Sequence, residues 1–519
     1  MWKKMIFSAV FTSIFLYASA LSAQTVGTAD SISLNFAPHY GAPVADSFYG
    51  FDGVRVDGKY WNNITDAAGR TQYSSHNAVD NGESGNWYYN SNRNYTEPNV
   101  LQVQNNYGNP YSLGGLWSAT NVYTCRTSRP STTDNAILYH GYLDDGVLDD
   151  QHPATIKMDV PYFQYDLYYY PSVDNDTSRF RSVNVNGSFY TSQDGATTVV
   201  GDSSDFWGNA STVRKSNDVV IEEGVNMLRI SGLTAPRLEI TGQNKIDGPP
   251  ALRGSVAALQ VVNTAASYSA WISADETLGA LTWKNDLTGD TGSWSNDFSL
   301  VRLISDAGSH TITAGGEKMD SLMIVNGVNS DATSAGTTTL GGGTLNVGTL
   351  SKVGGDFTLG GGTLAADRIQ FSLKQTGGTL APGGVGEIGK TEIFGDYTIT
   401  GGGITLDVLT ASIYDSISAT GKISADSATE IYLNLLNGFS LNEGDELVLF
   451  TGGETENLGN FSLAQALEDY WRLEIQGNSL IATLYNSPLG NGGENGVPEP
   501  ATWALMLLGA AAVVCLRRR

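Results

Sequence analysis

Short stretches in which apolar and polar residues alternate run through the chain, and turn-forming residues separate them. Between residues 24 and 263 the clearest stretches are 31–36, 136–139, 155–160, 165–170, 182–185, 226–230, 237–240 and 256–262. A period of two residues predicts β-strands, with isoleucine and valine on the inner face and serine, asparagine and aspartate on the outer face. Short strands at this spacing predict a β-sandwich or jelly roll, and no segment shows helical periodicity.

A glycine-rich pattern replaces this alternation between residues 264 and 410. Gly-Gly-Thr-Leu recurs at 342–345, 361–364 and 377–380, with a variant at 402–406, so the repeats start 19, 16 and 25 residues apart. Glycine supplies the positive φ that a sharp corner needs, and threonine and leucine then alternate along short strands. The pattern predicts the coils of a short parallel β-solenoid. Disorder is the alternative, but regularly placed Leu, Ile, Val and Phe residues argue against it.

Residues 411–485 are predicted to close this array. They contain further strand-like stretches at 413–417, 430–436 and 444–450. Phe461 and Trp471 supply the apolar bulk that a cap needs to cover the last coil of a solenoid. The body of the chain is therefore predicted to be all-β.

The first 23 residues have the pattern of a cleavable signal peptide. Lys3 and Lys4 precede an apolar stretch at 5–17, and small residues then offer cleavage after Ala20 or Ala23. The apolar stretch is short for a membrane span, although an N-terminal membrane anchor is the alternative.

The last 23 residues, 497–519, combine a short proline-containing box, an apolar run at 501–516 and a terminal arginine cluster. The sorting residues are Pro498, Glu499, Pro500, Arg517, Arg518 and Arg519. As a helix the apolar run would be about 24 Å long, against a hydrocarbon core of about 30 Å. It predicts a short transmembrane helix with its arginines on the cytoplasmic side. A polar, glycine-rich linker at 486–496 precedes it and is expected to be flexible.

This order of segments resembles the PEP-CTERM sorting signal of exported bacterial surface proteins. The resemblance implies that an exosortase-type membrane protease cuts near Pro498 and removes the helix, so membrane insertion would be transient. The expected location is the cell surface, either associated with the outer membrane or in the extracellular matrix.

The chain is strongly acidic, with 29 Lys and Arg residues against 53 Asp and Glu residues and a net charge of −24. Loss of both processed ends would leave 24 basic and 52 acidic residues, because five basic residues and one acidic residue lie there. Such a surface repels nucleic acid, so nucleic acid is excluded as a partner.

Two cysteines, Cys125 and Cys515, are present. Cys515 lies in the removable tail, so the processed chain is expected to have no internal disulfide. The surroundings of Cys125 are those of a strand, and this thiol is expected to be inert.

Two resemblances concern the body. In the first region, the segments 61–63, 141–144, 165–168 and 259–261 follow the order found in a galactose-binding-like jelly roll. In the second region, Gly-Ser-Trp-Ser-Asn at 292–296 resembles the opening of autotransporter-associated β-strand repeats. Together they imply a galactose-binding-like domain at 24–263, followed by repeats and a cap.

Aromatic and amide residues in predicted loops of the first region suggest a glycan site. The candidates are Trp61, Asn62, Trp87 and Tyr88. Sugar rings stack on aromatic faces while amides and carboxylates bind hydroxyl groups. Packing of these aromatic rings in the protein interior is the alternative interpretation.

Two acidic loops are candidates for Ca²⁺, which prefers oxygen ligands. Their residues are Asp144, Asp145, Asp149, Asp174 and Asp176. Neither loop matches an EF-hand, and solvated turns are the alternative. No other cofactor is expected.

No catalytic constellation is apparent in the sequence. The five histidines, His39, His76, His140, His152 and His310, form neither HxxxH nor HxH patterns, and no nucleophile elbow or P-loop lies in a suitable context. The sequence therefore predicts a noncatalytic, structural or adhesive surface protein with possible contact to an extracellular polysaccharide or other glycan. A secreted carbohydrate-active hydrolase with its site in residues 24–263 is the alternative. A purely architectural matrix protein is the third hypothesis.

Overall fold

The computed structural model describes residues 29–36, 61–64, 95–97, 100–119, 121–124, 141–144, 155–170, 182–191, 227–243, 255–328, 335–465 and 467–486. Within these residues every regular element is a β-strand, apart from 3-10 turns at Leu278–Ala280 and Leu458–Asn460. The predicted all-β class is therefore confirmed. None of the described residues forms a helix that could cross a membrane, and the predicted tail helix at 501–516 lies outside them.

Residue contacts divide the chain into two compact units. Among the described residues, the first unit holds those up to Ser269 together with Trp283–Gly292 and the short segments around Val328 and Ala335. The second unit holds the remaining described residues from Ala270 onward.

Fifteen strands lie in the described part of the chain before residue 264. They are β1 Ser31–Phe36, β2 Asn62–Ile64, β3 Tyr95–Glu97, β4 Val100–Gln104, β5 Pro110–Ala119, β6 Asn121–Thr124, β7 Gly141–Asp144, β8 Thr155–Asp159, β9 Tyr165–Tyr170, β10 Ser182–Val185, β11 Ser188–Thr191, β12 Leu228–Leu233, β13 Arg237–Gln243, β14 Ser255–Val256 and β15 Ala258–Asn263.

These strands form three sheets. The orders are β12-β9-β15-β1-β2, then β11-β10-β13-β8-β5-β3 with β4 also paired to β5, and finally β14-β7-β6. All pairs are antiparallel except β1 with β2. Strand β1 pairs with β15 from Ser31 opposite Val262 to Asn35 opposite Ala258. The first and last of these strands are therefore neighbours, which requires contacts between distant parts of the sequence.

The first two of these sheets differ in how well the alternating pattern describes the burial of their strands. In β8, burial alternates as the sequence predicts, with Ile156 and Met158 buried. In β1, β9 and β15 every residue is buried, including Ser33, Asn35 and Gln260. The prediction that serine and asparagine face solvent is wrong for β1, because central strands can be covered on both faces.

Three polar side chains on the second face of this sheet are paired with each other. The Gln260 side-chain amide donates to Ser33 Oγ at 3.0 Å, and Tyr170 donates its hydroxyl proton to Gln260 Oε1 at 2.5 Å. Buried polar groups need such partners because an unpaired one costs about 1–3 kcal/mol. The three side chains thereby tie β1, β15 and β9 together across the sheet.

The remaining strands follow residue 264. They are β16 Ser267–Ile272, β17 Glu276–Thr277, β18 Trp283–Asn285, β19 Thr291–Gly292, β20 Leu300–Ser305, β21 Ser309–Asn326, β22 Thr337–Val353, β23 Asp356–Leu359, β24 Thr363–Ile369, β25 Leu373–Leu380, β26 Lys390–Ile393, β27 Tyr397–Thr410, β28 Ile413–Tyr414, β29 Ser416–Ala419, β30 Lys422–Ala425, β31 Thr429–Ser440, β32 Glu446–Thr451, β33 Glu454–Glu456, β34 Phe461–Leu463, β35 Trp471–Gln476 and β36 Ser479–Leu484.

Between Leu300 and Leu463 the second unit consists of three series of parallel strands, which we call the parallel stack. One series pairs β20, β21, β22, β24, β26, β29 and β32 in that order. A second pairs β21, β22, β23, β25, β27, β30 and β33. A third pairs β21, β22, β24, β25, β27, β31 and β34. The long strands take part in more than one series because the chain turns corners within them.

The Gly-Gly-Thr-Leu repeats lie opposite one another in the third series. Leu345 pairs with Leu364 and Leu364 with Leu380, and Ile404 and Ile431 continue the column. All five side chains have no exposed area. Repetition in the sequence therefore places leucine and isoleucine side chains above one another along the core.

An antiparallel hairpin ends the stack. Strand β36 pairs with β32 and β35 pairs with β36, both antiparallel. Trp471 at the start of β35 is 2% exposed, and the Phe450 and Phe461 rings stack with centroids 5.1 Å apart and planes 24° apart. The residues that the sequence assigns to a cap are thus packed against apolar neighbours in the final strands.

Candidate functional site

Trp61 lies in the interior of the first unit. Its side chain is 4% exposed, and its ring meets the buried Tyr170 ring edge to face, with centroids 6.3 Å apart and planes 66° apart. A ring covered in this way has no free face for a sugar. The packing interpretation is correct for Trp61, and the predicted stacking role of this residue is corrected accordingly.

The side chain of Asn62 serves the neighbouring backbone. Its amide group donates to the carbonyl oxygens of Ser33 at 3.0 Å and Gln104 at 2.8 Å, and its Oδ1 accepts from the backbone N–H of Gln104 at 2.7 Å. These bonds join β2 to β4 through a side chain that imitates a peptide group. Asn62 therefore has a structural role that its position in a predicted turn did not indicate.

Most of the other predicted site residues lie outside the described residues. They are Trp87, Tyr88, Asp145, Asp149, Asp174 and Asp176. Asp144 ends β7, where it pairs with Asn121 of β6 and Ser255 of β14. In the part of the chain that the structure describes, no three His, Cys, Asp or Glu residues are grouped so that they could hold a metal ion. The Ca²⁺ loops and the remaining glycan candidates stay predictions.

Asp30 is the centre of a buried polar network that the sequence did not reveal. Its carboxylate accepts hydrogen bonds from the Asn105 amide at 2.8 Å and from the hydroxyl groups of Tyr111 and Tyr162 at 3.3 Å each. Asn106 adds bonds to the backbone of the same segment, accepting from Ser31 N at 3.0 Å. Asn105 and Asn106 lie between β4 and β5 in a sequence typical of an ordinary turn. Their closeness to Asp30 arises only in the folded chain.

Asp166 is another buried carboxylate of this unit. It accepts from Arg229 Nε at 2.9 Å and from an Arg229 terminal nitrogen at 2.7 Å, and Gly232 N donates to its other oxygen at 2.9 Å. A buried acid paired in this way stays where its partners hold it. Asp30 and Asp166 are thus both engaged by donors within the fold.

His310 is the histidine that falls within the described residues. It is 7% exposed and its Nε2 lies 2.8 Å from Asp306 Oδ1, while Gly308 N donates to the same oxygen at 2.6 Å. The hydrogen bond from His310 is the main reason why the pKa of Asp306 is lowered. The arrangement closes the tight turn between β20 and β21. The other four histidines and both cysteines lie outside the described residues.

The most unusual carboxylates of the second unit are Asp407 and Asp415, which flank the turn between β27 and β29. Asp407 N donates to Asp415 Oδ2 at 2.8 Å, and Asp415 N donates to the Asp407 carbonyl oxygen at 2.8 Å. Each acid also holds the glycine-rich loop at 381–389. Gly386 N donates to Asp407 at 2.6 Å and Gly389 N to Asp415 at 2.6 Å.

Burial raises the pKa of both acids. For Asp415 the pKa rises to about 7, because loss of solvent outweighs the stabilising backbone N–H groups of Asp407 and Gly389. For Asp407 burial again has the largest effect, and the Asn434 amide and backbone N–H groups act against it. Catalytic acids can have raised pKa values of this kind. However, their hydrogen bonds tie them to the loop, to Asn434 and to each other.

Comparison with known protein families decides the role of the end of the chain. Residues 496–519 match the family model described as the PEP-CTERM protein-sorting motif. The chain carries a PEP-CTERM sorting signal. A PEP-CTERM signal marks a protein that is exported and sorted to the cell surface, and its processing enzyme is an exosortase-type membrane protease. The expectation based on Pro498, Glu499, Pro500 and the terminal arginines is therefore confirmed. No curated protein matches the chain.

Proposed function

We propose that this PEP-CTERM protein is a noncatalytic structural or adhesive component of the cell surface or extracellular matrix. The observation that carries the proposal is the sorting signal at 496–519, which follows a described body made of β-strands. The first unit would be a galactose-binding-like jelly roll and the parallel stack a short β-solenoid. After export, the exosortase would remove the tail and leave the body outside the cell.

Strand pairing supports the two fold assignments. The first unit is built from antiparallel sheets whose central strands come from distant parts of the sequence, as Greek-key sandwiches require. In the second unit, three parallel series continue from one coil to the next with glycine at the corners. Long, regular β-structures of this kind suit a protein that spans or fills space at a surface.

The chemistry of the described acids supports a noncatalytic role. Asp30, Asp166, Asp407 and Asp415 are each held by donors that belong to the fold. A glycoside hydrolase needs two carboxyl groups about 5–10 Å apart that face a shared substrate cleft. Glycan contact by the first unit would instead depend on Trp87, Tyr88 and their neighbours, because Trp61 is buried.

The test uses the secreted, processed chain and extracellular polysaccharide prepared from the producing cells. A structural or adhesive protein should bind the immobilised polysaccharide without releasing reducing ends during prolonged incubation. Tyr88→Ala and Trp87→Ala should weaken this binding at least tenfold if the first unit holds the glycan, whereas Tyr470→Ala in the second unit should not.

Of two further results, the first would contradict the proposal and the second would remove the adhesive role from it. Release of reducing ends that disappears on replacing one carboxylate of residues 24–263 would show a hydrolase. Absence of binding to any surface polymer would favour the purely architectural matrix protein.

A further inference from the structure

A polar groove follows one corner of the parallel stack. It has a volume of about 360 Å³ and is lined by residues 296–299, 318–320 and 346–348, together with Ala365, Asp367 and Gly383. This volume lies at the lower end of the range of small-molecule sites. The groove belongs to the second unit, whereas the glycan candidates of the sequence belong to the first.

The groove is lined by residues that pair with one another on adjacent parallel strands. Lys318 of β21 pairs with Asn346 of β22, and Asn346 pairs with Ala365 of β24. Met319 likewise pairs with Val347. Adjacent strands lie about 4.8 Å apart, so three coils give the groove a length of about 10 Å along the stack. A ligand with repeating units fits such a surface better than a compact one does.

The floor of the groove is apolar and its sides are polar. Met319, Val347 and Ala365 are 7%, 5% and 4% exposed and form the floor, while Lys318 is exposed and Asn346 is half-buried. A pyranose ring has the complementary arrangement, with C–H groups on its faces and hydroxyl groups around its edge. An apolar floor with a few polar groups at its sides is typical of a ligand site.

Both ends of the groove are fixed by contacts within the fold. At one end, Ser299 donates to Asp320, and the Trp294 indole N–H donates to Asn296 Oδ1 at 3.1 Å. At the other end, Gly383 belongs to the loop at 381–389, which the acids of the β27–β29 turn hold in place. A site whose walls are already ordered loses little entropy on binding.

Charge narrows the class of ligand. Asp297, Asp320 and Asp367 oppose the single cation Lys318 in the lining. The excess of carboxylates disfavours sulfated or uronic acid polymers and suits neutral sugars or amino sugars. The described residues include no group of side chains suited to a metal ion, so a metal does not explain the groove.

We infer that this groove binds a neutral or amino-sugar segment of a glycan chain. The Asn346 amide and the groove carboxylates would bind hydroxyl or ammonium groups of the sugar, above a floor lined by Met319 and Val347. The stack is thus a glycan-binding element in its own right. This inference does not depend on any glycan site in the first unit.

The experiment measures binding of the full secreted chain to soluble oligosaccharides by isothermal titration. The probes are tetramers of N-acetylglucosamine, of glucosamine and of glucose, with a tetramer of galacturonic acid as the acidic comparison. At least one of the first three should bind with a Kd of 1 mM or tighter. The galacturonic acid tetramer should bind at least tenfold more weakly.

Variants locate the site. Asn346→Ala and Lys318→Ala should each weaken binding by at least fivefold, and Asp367→Asn should specifically weaken binding of the glucosamine tetramer. Lys374→Ala is the matched control, because Lys374 is exposed on the second series of the stack, away from the groove. Thermal unfolding of all variants checks that they fold.

Three results would overturn the inference. They are failure of every neutral and amino-sugar probe to bind, preference for the galacturonic acid tetramer, and binding that the folded groove variants leave unchanged. The last result would place any glycan site elsewhere and would leave the proposed role of the first unit intact. Loss of binding in the groove variants alone would support the groove even if Trp87 and Tyr88 prove irrelevant.

Discussion

Buried carboxylates in this protein organise backbone and loops. Asp166 is neutralised by Arg229, and Asp30 is surrounded by amide and hydroxyl donors. Asp407 and Asp415 accept from backbone N–H groups of a glycine-rich loop, which has few side chains to pack by itself. Charge-assisted hydrogen bonds to N–H groups are roughly twice as strong as neutral ones. Removing one of these acids should therefore free a segment of backbone.

Asp415 is expected to make stability depend on pH. Its pKa is raised by burial from 3.8 to about 7, so the folded chain takes up a proton that the unfolded chain releases. The favourable contribution is complete below about pH 4 and is lost as pH rises towards 7. The free energy of unfolding should fall between pH 5.5 and 7.5, as measured by urea denaturation, and Asp415→Asn should flatten this slope.

The control for this prediction is Asp426→Asn, because Asp426 is an exposed acid of the same unit. That variant should keep the wild-type slope. An unchanged slope in Asp415→Asn would mean that other groups take up the proton.

Composition alone was a poor guide to individual site residues. Trp61 and Asn62 lie in a sequence typical of a loop, yet the fold covers the ring and uses the amide for strand pairing. Nothing in the local sequence distinguishes an aromatic residue that faces solvent from one that packs on Tyr170. The groove was missed for the same reason, because Lys318, Asn346 and Asp367 are far apart in sequence and meet only through strand register.

Repeated glycines determine the geometry of the corners in the parallel stack. The second glycine of each Gly-Gly-Thr-Leu repeat has a positive φ, as in Gly343 at 72° and Gly378 at 66°. At Gly343 a Cβ would lie only 1.5 Å from the carbonyl oxygen of Ala314 on the preceding coil. Close approach of neighbouring coils and a left-handed backbone therefore both require glycine.

Gly343→Ala should destabilise the second unit strongly. The left-handed conformation alone costs about 1–2 kcal/mol for alanine, and the contact with Ala314 adds to it. The expected loss in unfolding free energy is about 3 kcal/mol or more, measured by urea denaturation of the full chain.

Gly459→Ala is the control for Gly343→Ala, because a Cβ at Gly459 would have no heavy atom within 4 Å. Its unfolding free energy should change by less than about 1 kcal/mol. Equal losses in the two variants would mean that the corner at Gly343 rearranges without cost.

At the scale of strands, the sequence pattern predicted the bounds of several strands, including strands that are buried on both faces. Strands at Ser31–Phe36, Tyr165–Tyr170 and Ser182–Val185 have the bounds that the pattern predicts. The repeat spacing also gives the register of the third series, in which Thr344 pairs with Thr363 and Thr363 with Thr379. The second buried face of β1 could not be predicted, because Ser33 is buried there next to Gln260 of β15, which in turn accepts from Tyr170 of β9.

For the whole molecule, the sorting signal and the acidity of the body act together. The processed body would carry about 28 more acidic than basic residues, and this charge keeps copies apart and nucleic acid away. A polyanionic body contributes little affinity for an anionic membrane surface. Delivery to the surface must then depend on the tail, where the apolar run and the arginines are concentrated.

Replacement of the Pro-Glu-Pro box should therefore trap the protein at the membrane. With Pro498, Glu499 and Pro500 changed to alanine, the exosortase loses its recognition box while the apolar run and arginines remain. Intact-mass measurement should find residues 501–519 retained in the membrane fraction of this variant and absent from the wild-type surface or medium fraction. Asn491→Ala in the linker should be processed normally. A wild-type surface protein that retains its tail would show that sorting proceeds without cleavage. Normal processing of the triple variant would show that the protease does not recognise the Pro-Glu-Pro box.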